Sequence, residues 1–446
     1  PVEPPSPNLQ DVDPMVADSI RSSTAAVTGN PDSYEAWDNL GRTFFANGFS
    51  DLAILAFDQS IEINPLRPLP LYMRGLCKVD IYDTPGALVD LEASLALSPD
   101  QPHLHWRAAL VAMDSGNLQR AEELSSAALA IAPNGYNSIR VRSHVHLAAS
   151  EPELGIELLE PLIVAKPGDK HVLWLYARLL RAAGRVEEAK VYADATGAPI
   201  PVYSDPWTQW SLQRMTGRTK EIRSVMELVS AGKLDVAKRQ MARLNNYYPE
   251  DRDVSLIDGV ILSREGRRLE ALEVFKSLAD LHPEWALPRH HTALALIDGK
   301  ANLSGLSSES LSRIRILLEE VVELDPGMTN ARVQLTVMLA RNKEWDAVME
   351  HLAVCIQQQP MAPRHRVNLA AALLQLRRMD ECLEVLDETF FLFKKETVQS
   401  LAIRCDALVS LGRLEEASGP LEQLRNRAPN HPVIRRLEPA LGDPRP

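Results

Sequence analysis

Residues 34–65 read YEAWDNLGRTFFANGFSDLAILAFDQSIEINP, and this stretch decides the fold. Trp37, Leu40, Gly41 and Phe44, then Ala53 and Phe57, recur at the three- and four-residue spacing of a helix stripe. Gly48 sits between the two stripes, where a tight turn would fall. Pro65 ends the second stripe, because proline has no N–H and clashes with a continuing helical turn. It also pushes the residue before it out of the helical region. The stretch predicts two antiparallel helices of roughly 14 residues joined by a short turn.

The same punctuation returns along the chain. Pro31, Pro65, Pro99, Pro133, Pro167 and Pro201 lie 34 residues apart, as do Pro249 and Pro283, and Pro326 and Pro360. Small residues stand twelve positions before several of these prolines, at Ala53, Ala87, Ala121, Ala189, Ala237 and Ala271. Gly116, Gly184, Gly232, Gly266 and Gly412 mark further turns. One helix pair cannot bury its own apolar stripe, so neighbouring pairs must stack.

Trp37, Leu40, Gly41, Phe44, Ala53, Phe57 and Pro65 occupy the signature positions of the tetratricopeptide repeat (TPR), and Gly259, Ala271, Phe275 and Pro283 repeat that frame. The chain resembles TPR proteins from about residue 14 to 430. The resemblance implies an all-α, right-handed superhelical solenoid of about eleven helix pairs with terminal capping helices. A flexible Pro-rich lead (1–13) precedes a first block at 14–203, a half unit plus five units. A Pro/Trp-rich linker at 204–217 leads to a second block of six units at 218–431, one with an insertion near 298–310, and a capping helix and tail at 432–446. Bacterial proteins with an Asp-Pro-Trp segment between two TPR blocks are similar to this chain at Asp205-Pro206-Trp207.

Composition narrows the function. The 446 residues carry 60 acids and 48 bases, a formal charge of −12, against the basic face a nucleic-acid binder needs. No apolar run approaches the roughly 18 residues of a membrane helix. No phosphate loop, dinucleotide glycine fingerprint, nucleophile elbow, HExxH or CxxC motif occurs, so no enzyme activity and no cofactor or metal is expected. His103/His105 and His144/His146 are i, i+2 pairs that point to different helix sides, and His290/His291 diverge similarly. Cys355, Cys382 and Cys405 fall at small-residue packing positions, where cysteine behaves as a small hydrophobe. A Cys382–Cys405 disulfide is the alternative.

In TPR arrays the first helix of each unit lines the concave surface through its positions 2, 5, 9, 12 and 13. The resemblance therefore implies a partner-binding set of His103, Trp106, Arg140, His144, His171, Trp174, Arg178 and Arg181. Over 102–115, 136–149 and 170–183, six bases stand against the single acid Asp114, whereas the remaining residues of 102–201 hold four bases and ten acids. One reading is a trough of indoles and arginines suited to an acidic or aromatic-bearing peptide or helix of a protein partner. The other packs Trp106 and Trp174 between helices and lets the arginines neutralise the acidic layer. The Lys/Asn clamp by which some TPR domains hold a terminal carboxylate is replaced by Asp38, Arg42 and Leu76.

In the second block the same positions are more apolar, and Ile222, Met226, Leu256, Val260, Leu294, Val333 and Val337 form a secondary groove. An apolar groove of that size is expected to be covered. The candidates are the linker segment Trp207–Met215, the other block, a second copy, or a partner helix. The stretch LSGLSSES is either a loop rimming that groove or a surface extension.

These readings converge on a non-catalytic scaffold or adaptor that binds a partner segment in the concave groove, with a homo-oligomer or multi-subunit complex as a further expectation. A binder of an anionic polymer or sugar in envelope or polysaccharide-export assembly, using Trp106, Trp174, Arg140, Arg178 and Arg181, is the alternative. The Pro-rich start is compatible with export, so a periplasmic or other extracytoplasmic location is expected, with the cytoplasm as the alternative.

Overall fold

The computed structural model describes residues 2–166, 168–196, 202–297, 303, 305–393 and 395–441. Among them are 25 helices and no strand, and the fold is an all-α repeat solenoid. A single helix α1 (Pro14–Gly29) precedes five pairs: α2/α3 (Tyr34–Ala46, Ser50–Ile63), α4/α5 (Pro68–Asp80, Thr84–Leu97), α6/α7 (Pro102–Asp114, Leu118–Ile131), α8/α9 (Tyr136–Ala148, Pro152–Ala165) and α10/α11 (Lys170–Ala182, Val186–Thr196). The short α12 (Pro206–Leu212) lies between these and six further pairs. Those are α13/α14 (Arg218–Ser230, Leu234–Tyr247), α15/α16 (Arg252–Arg264, Arg268–Leu281), α17/α18 (Ala286–Ile297, Ser308–Leu324), α19/α20 (Thr329–Arg341, Trp345–Gln358), α21/α22 (Pro363–Gln375, Met379–Phe393) and α23/α24 (Val398–Ser410, Leu414–Arg427), closed by α25 (Pro432–Leu441).

Local chemistry explains these boundaries. Pro68, Pro102, Pro363 and Pro432 stand at the first helical position, where the missing N–H costs nothing. Asp83 and Asn117 cap second helices through the amides of Gly86 and Arg120. The turn inside a pair needs a left-handed residue, with φ of 83° at Gly48 and 78° at Gly116. Tyr82, Ser150, Lys343 and Arg377 hold the same turn position at φ of 59–65° without being glycine. The fourth position of a first helix repeatedly ties back to the proline that closed the previous unit. The Trp37 indole donates to the Pro31 carbonyl at 2.7 Å, and Arg289 to that of Pro283 at 3.0 Å.

Small residues let the paired helices touch. A methyl group on Gly41 would stand 2.6 Å from the Phe57 ring, inside any tolerable contact. Cys355, Cys382 and Cys405 fill equivalent small-residue sites, fully buried and as free thiols. The insertion near 298–310 falls partly outside the described residues, as do Pro167 and Pro201. Its remainder buries Leu303 and lengthens α18, which Ser307 caps through the Ser310 amide.

The chain divides into two compact units. The first comprises residues 1–159, 175–186 and 200–265, and the second 160–174, 187–199 and 266–446. The core of the first unit runs from Val16 through Trp37, Phe57, Tyr72 and Trp106 to Val145, with Leu9 and Val12 of the Pro-rich lead packed against it. In the second unit one core gathers Ile314, Leu318, Leu335 and Leu352, another Leu386, Ile403 and Leu408, and a third seats Ile434 and Leu437 of α25 on Leu401 and Leu424.

Candidate functional site

Within the first unit, residues 202–216 run back across the first helices in reverse chain order. The segment meets α8, then α6, α4 and α2, and reaches the start of α1. On α8, Arg140 donates to the Val202 carbonyl at 3.0 Å and Asn137 to the Ser204 carbonyl at 2.7 Å. The Arg140 guanidinium also lies over the Tyr203 ring, 4.6 Å from its centroid. On α6, Arg107 donates to the Tyr203 carbonyl and Trp106 packs beside the Tyr203 ring at 6.0 Å.

Asp205 is the centre of this contact. Its side chain is fully buried. The Tyr72 hydroxyl donates to Oδ2 at 2.7 Å, Arg107 to the same oxygen at 3.1 Å, and the Thr208 amide to Oδ1 at 2.8 Å. That last bond makes Asp205 the N-cap of α12, and Pro206 stands in the following position. Burial pushes the carboxyl up, but the hydrogen bonds from Thr208 and Tyr72 and the charge of Arg107 outweigh it. The group is held below its ordinary value and stays ionised. The Tyr72 hydroxyl is pushed up, first by burial and further by the neighbouring Asp205 charge, so it remains a donor.

Trp207 lies edge-on between two groove rings, 5.4 Å from Tyr72 and 4.7 Å from His103. Further along, Ser211 donates to the Met73 sulfur at 3.4 Å, and Trp210 covers Arg42 at 3.3 Å from ring centroid to guanidinium. Arg42 and Asp38 form a buried pair at 3.6 Å. Burial lowers Arg42 to about 10 and raises Asp38, so each leans on the other and on the indole above. Arg214 donates to Asn39, and the Thr216 amide to Asn47 at 3.1 Å. The Arg218 amide then donates to Asp13 at 3.0 Å, and Tyr248 donates to the other oxygen of the same carboxylate at 2.7 Å. The second repeat block thus begins against the first helix of the chain.

Of the residues expected to bind a partner, His103, Trp106 and Arg140 are buried, and each contacts the returning segment. His144 is half-buried on α8, and burial with the charges of Arg178 and Arg140 pushes its imidazole down to about 4. Arg178 and Arg181 are exposed in the first unit; His171 and Trp174 are half-buried in the second. The segment considered for the second-block groove, Trp207–Met215, lies in the first-block trough instead. The reason is that its donors, acceptors and rings find complements on α2, α4 and α6. The apolar set is divided between the units: Ile222, Met226, Leu256 and Val260 belong to the first, and Leu294, Val333 and the exposed Val337 to the second. That Tyr72 and Arg107 would meet the Asp205 carboxylate in the groove escaped the sequence reading. Arg107 stands at position 6, outside the expected inward set, whereas an Asp-Pro helix start ahead of two tryptophans was a usable signal for Asp205.

Among the described residues no group of three or more His, Cys, Asp or Glu could hold a metal, and no helix is long and apolar enough to cross a membrane. The second unit contains a cavity of about 680 Å³ lined chiefly by Val191, Ile356, Pro360, Phe391 and Leu392, with Arg366 at its wall.

Stacked antiparallel helix pairs whose first helices line a groove define an α-helical repeat protein. The sequence model of the tetratricopeptide repeat family matches residues 72–136 and 141–199, and over those residues the chain is built of tetratricopeptide repeats. No curated protein matches it. Among solved structures, pilF of Pseudomonas aeruginosa is 14% identical, covering 49% of this chain and 95% of that one at a TM-score of 0.41. Yeast Tom70 is 14% identical, covering 90% and 98% at 0.36. MamA of Desulfovibrio magneticus RS-1 is 16% identical, covering 36% and 90% at 0.34. At these identities and scores the likenesses carry no functional argument.

Proposed function

We propose that this protein is a non-catalytic scaffold that holds a segment of a protein partner in the groove of its first repeat block. Tetratricopeptide-repeat proteins generally mediate protein–protein interactions. The observation that supports the groove as the place is its present content: four first helices hold a segment by main-chain, carboxylate and indole contacts. These are the contacts by which a partner segment would be held.

Cross-linking of native complexes captured on the full chain, read by mass spectrometry, tests the reading. Partner cross-links should fall on α2, α4, α6 and α8, the helices that hold residues 202–216. Cross-links confined to second helices or to α16 onwards would overturn it.

A further inference from the structure

The segment in the groove shows what the groove recognises. Its contacts fall into two kinds. Arg140, Asn137 and Arg107 take the carbonyls of Val202, Ser204 and Tyr203, which any extended chain presents. Asp205 and Trp207 are held by side-chain chemistry instead. The carboxylate meets a buried hydroxyl and a guanidinium together, at 2.7 and 3.1 Å. A neutral side chain there would leave Arg107 unbalanced, and a longer acid would have to fold back on itself. The indole fills the space between Tyr72 and His103, where a smaller ring would lose both edge contacts. A free peptide can make every one of these bonds.

We propose that the groove over α4, α6 and α8 recognises, in a partner protein, a segment with an aspartate followed two residues later by a tryptophan. Residues 202–216 are then the chain's own copy of that ligand, which the partner displaces. This rests on the scaffold reading above and adds the partner's chemistry and the competition. A tethered ligand competes at an effective concentration on the order of millimolar. A peptide of like affinity, with an intrinsic dissociation constant on the order of 10 μM, would therefore bind the closed protein about a hundredfold more weakly than the open one.

The test is fluorescence anisotropy of a labelled peptide copying residues 202–216, titrated with the full chain. Asp205→Ala/Trp207→Ala, which weakens the internal copy, should bind it about a hundredfold more tightly than wild type. Peptides with alanine at either the aspartate or the tryptophan should lose at least tenfold. Equal binding by wild type and the opened variant, or equal binding of the altered peptides to a variant that keeps its helical circular dichroism, overturns the proposal. If the double variant loses its helical signal, Trp207→Ala alone decides, and a gain below threefold counts against it. Groove cross-links to a partner segment lacking the Asp-x-Trp pattern would sink this inference and leave the scaffold reading standing. Cross-links away from the groove sink the scaffold reading whatever the peptide does.

Discussion

Removing the Tyr72 hydroxyl and the Asp205 carboxylate, singly and together, measures how firmly the returning segment is held. In Tyr72→Phe the carboxylate loses one bond from a fully buried donor but keeps Arg107 and Thr208. A hydrogen bond to a charged group of this kind contributes about 2 kcal/mol. Asp205→Ala removes more: it leaves the Arg107 guanidinium and the Tyr72 hydroxyl without their shared acceptor, and α12 without its cap. Breaking a buried ion pair on one side costs about 4 kcal/mol. In the double variant the hydroxyl has no carboxylate left to lose, so the two effects should fall short of additivity by about 2 kcal/mol. Urea unfolding followed by circular dichroism at pH 7 gives the three differences. Acid supplies a second check. The folded carboxyl is held below its ordinary 3.8, so its stabilisation is complete above that value and is lost as the pH falls through the folded value. The gap between wild type and Asp205→Ala should therefore narrow below pH ~4. Additive single effects, or a gap that does not change on acidification, would refute the account of Asp205 as the ionised centre of the contact.

Two further outcomes follow from the helices themselves. His144 is depressed from 6.5 to about 4, first by burial and then by Arg178 and Arg140, so the unfolded chain takes up a proton well before the folded one. Stability should fall as pH drops from above 6.5 towards 4, by about 3 kcal/mol for this group alone. Between pH 7.5 and 5 that loss is about 2 kcal/mol, and thermal melts of His144→Gln at those two values should show it missing. Tyr82, Lys343 and Arg377 are exposed residues in left-handed turns, Tyr82 with 92% of its surface free. Replacing each by glycine should raise the melting temperature, by about 1 kcal/mol in stability. A lowered melting temperature would show that those side chains hold the turn.

The helix pairs were readable because their causes are local. Pro65 and Pro99 stop helices, Gly48 and Gly116 turn them, and stripes such as Trp37-Leu40-Phe44 repeat with the same phase. Where the local signal lapses, packing still imposes the turn: Tyr82 takes a glycine-like φ of 65° because α4 and α5 must fold back on each other. That first helices face inward was equally readable, and His103, Trp106 and Arg140 do face the groove's content. What fills the groove was not readable. Repeat periodicity describes each unit against its neighbours, whereas the bonds from Val202, Tyr203, Asp205 and Ser211 reach 62 to 138 residues back along the chain. Nothing in a 34-residue period carries information at that range.

A row of stacked repeats ordinarily melts like a zipper, since each unit answers only to the next. Here one segment bonds to α8, α6, α4 and α2 in turn, and the chain then ties back to Asp13. Opening any one of these pairs must also loosen contacts made with the others. The first four pairs should therefore unfold as one cooperative body rather than fray from an end. Assembly bears the converse cost. The last bonds close loops of up to 235 residues, so the row must be stacked before the tie can form, and the slowest step in folding should be that closure.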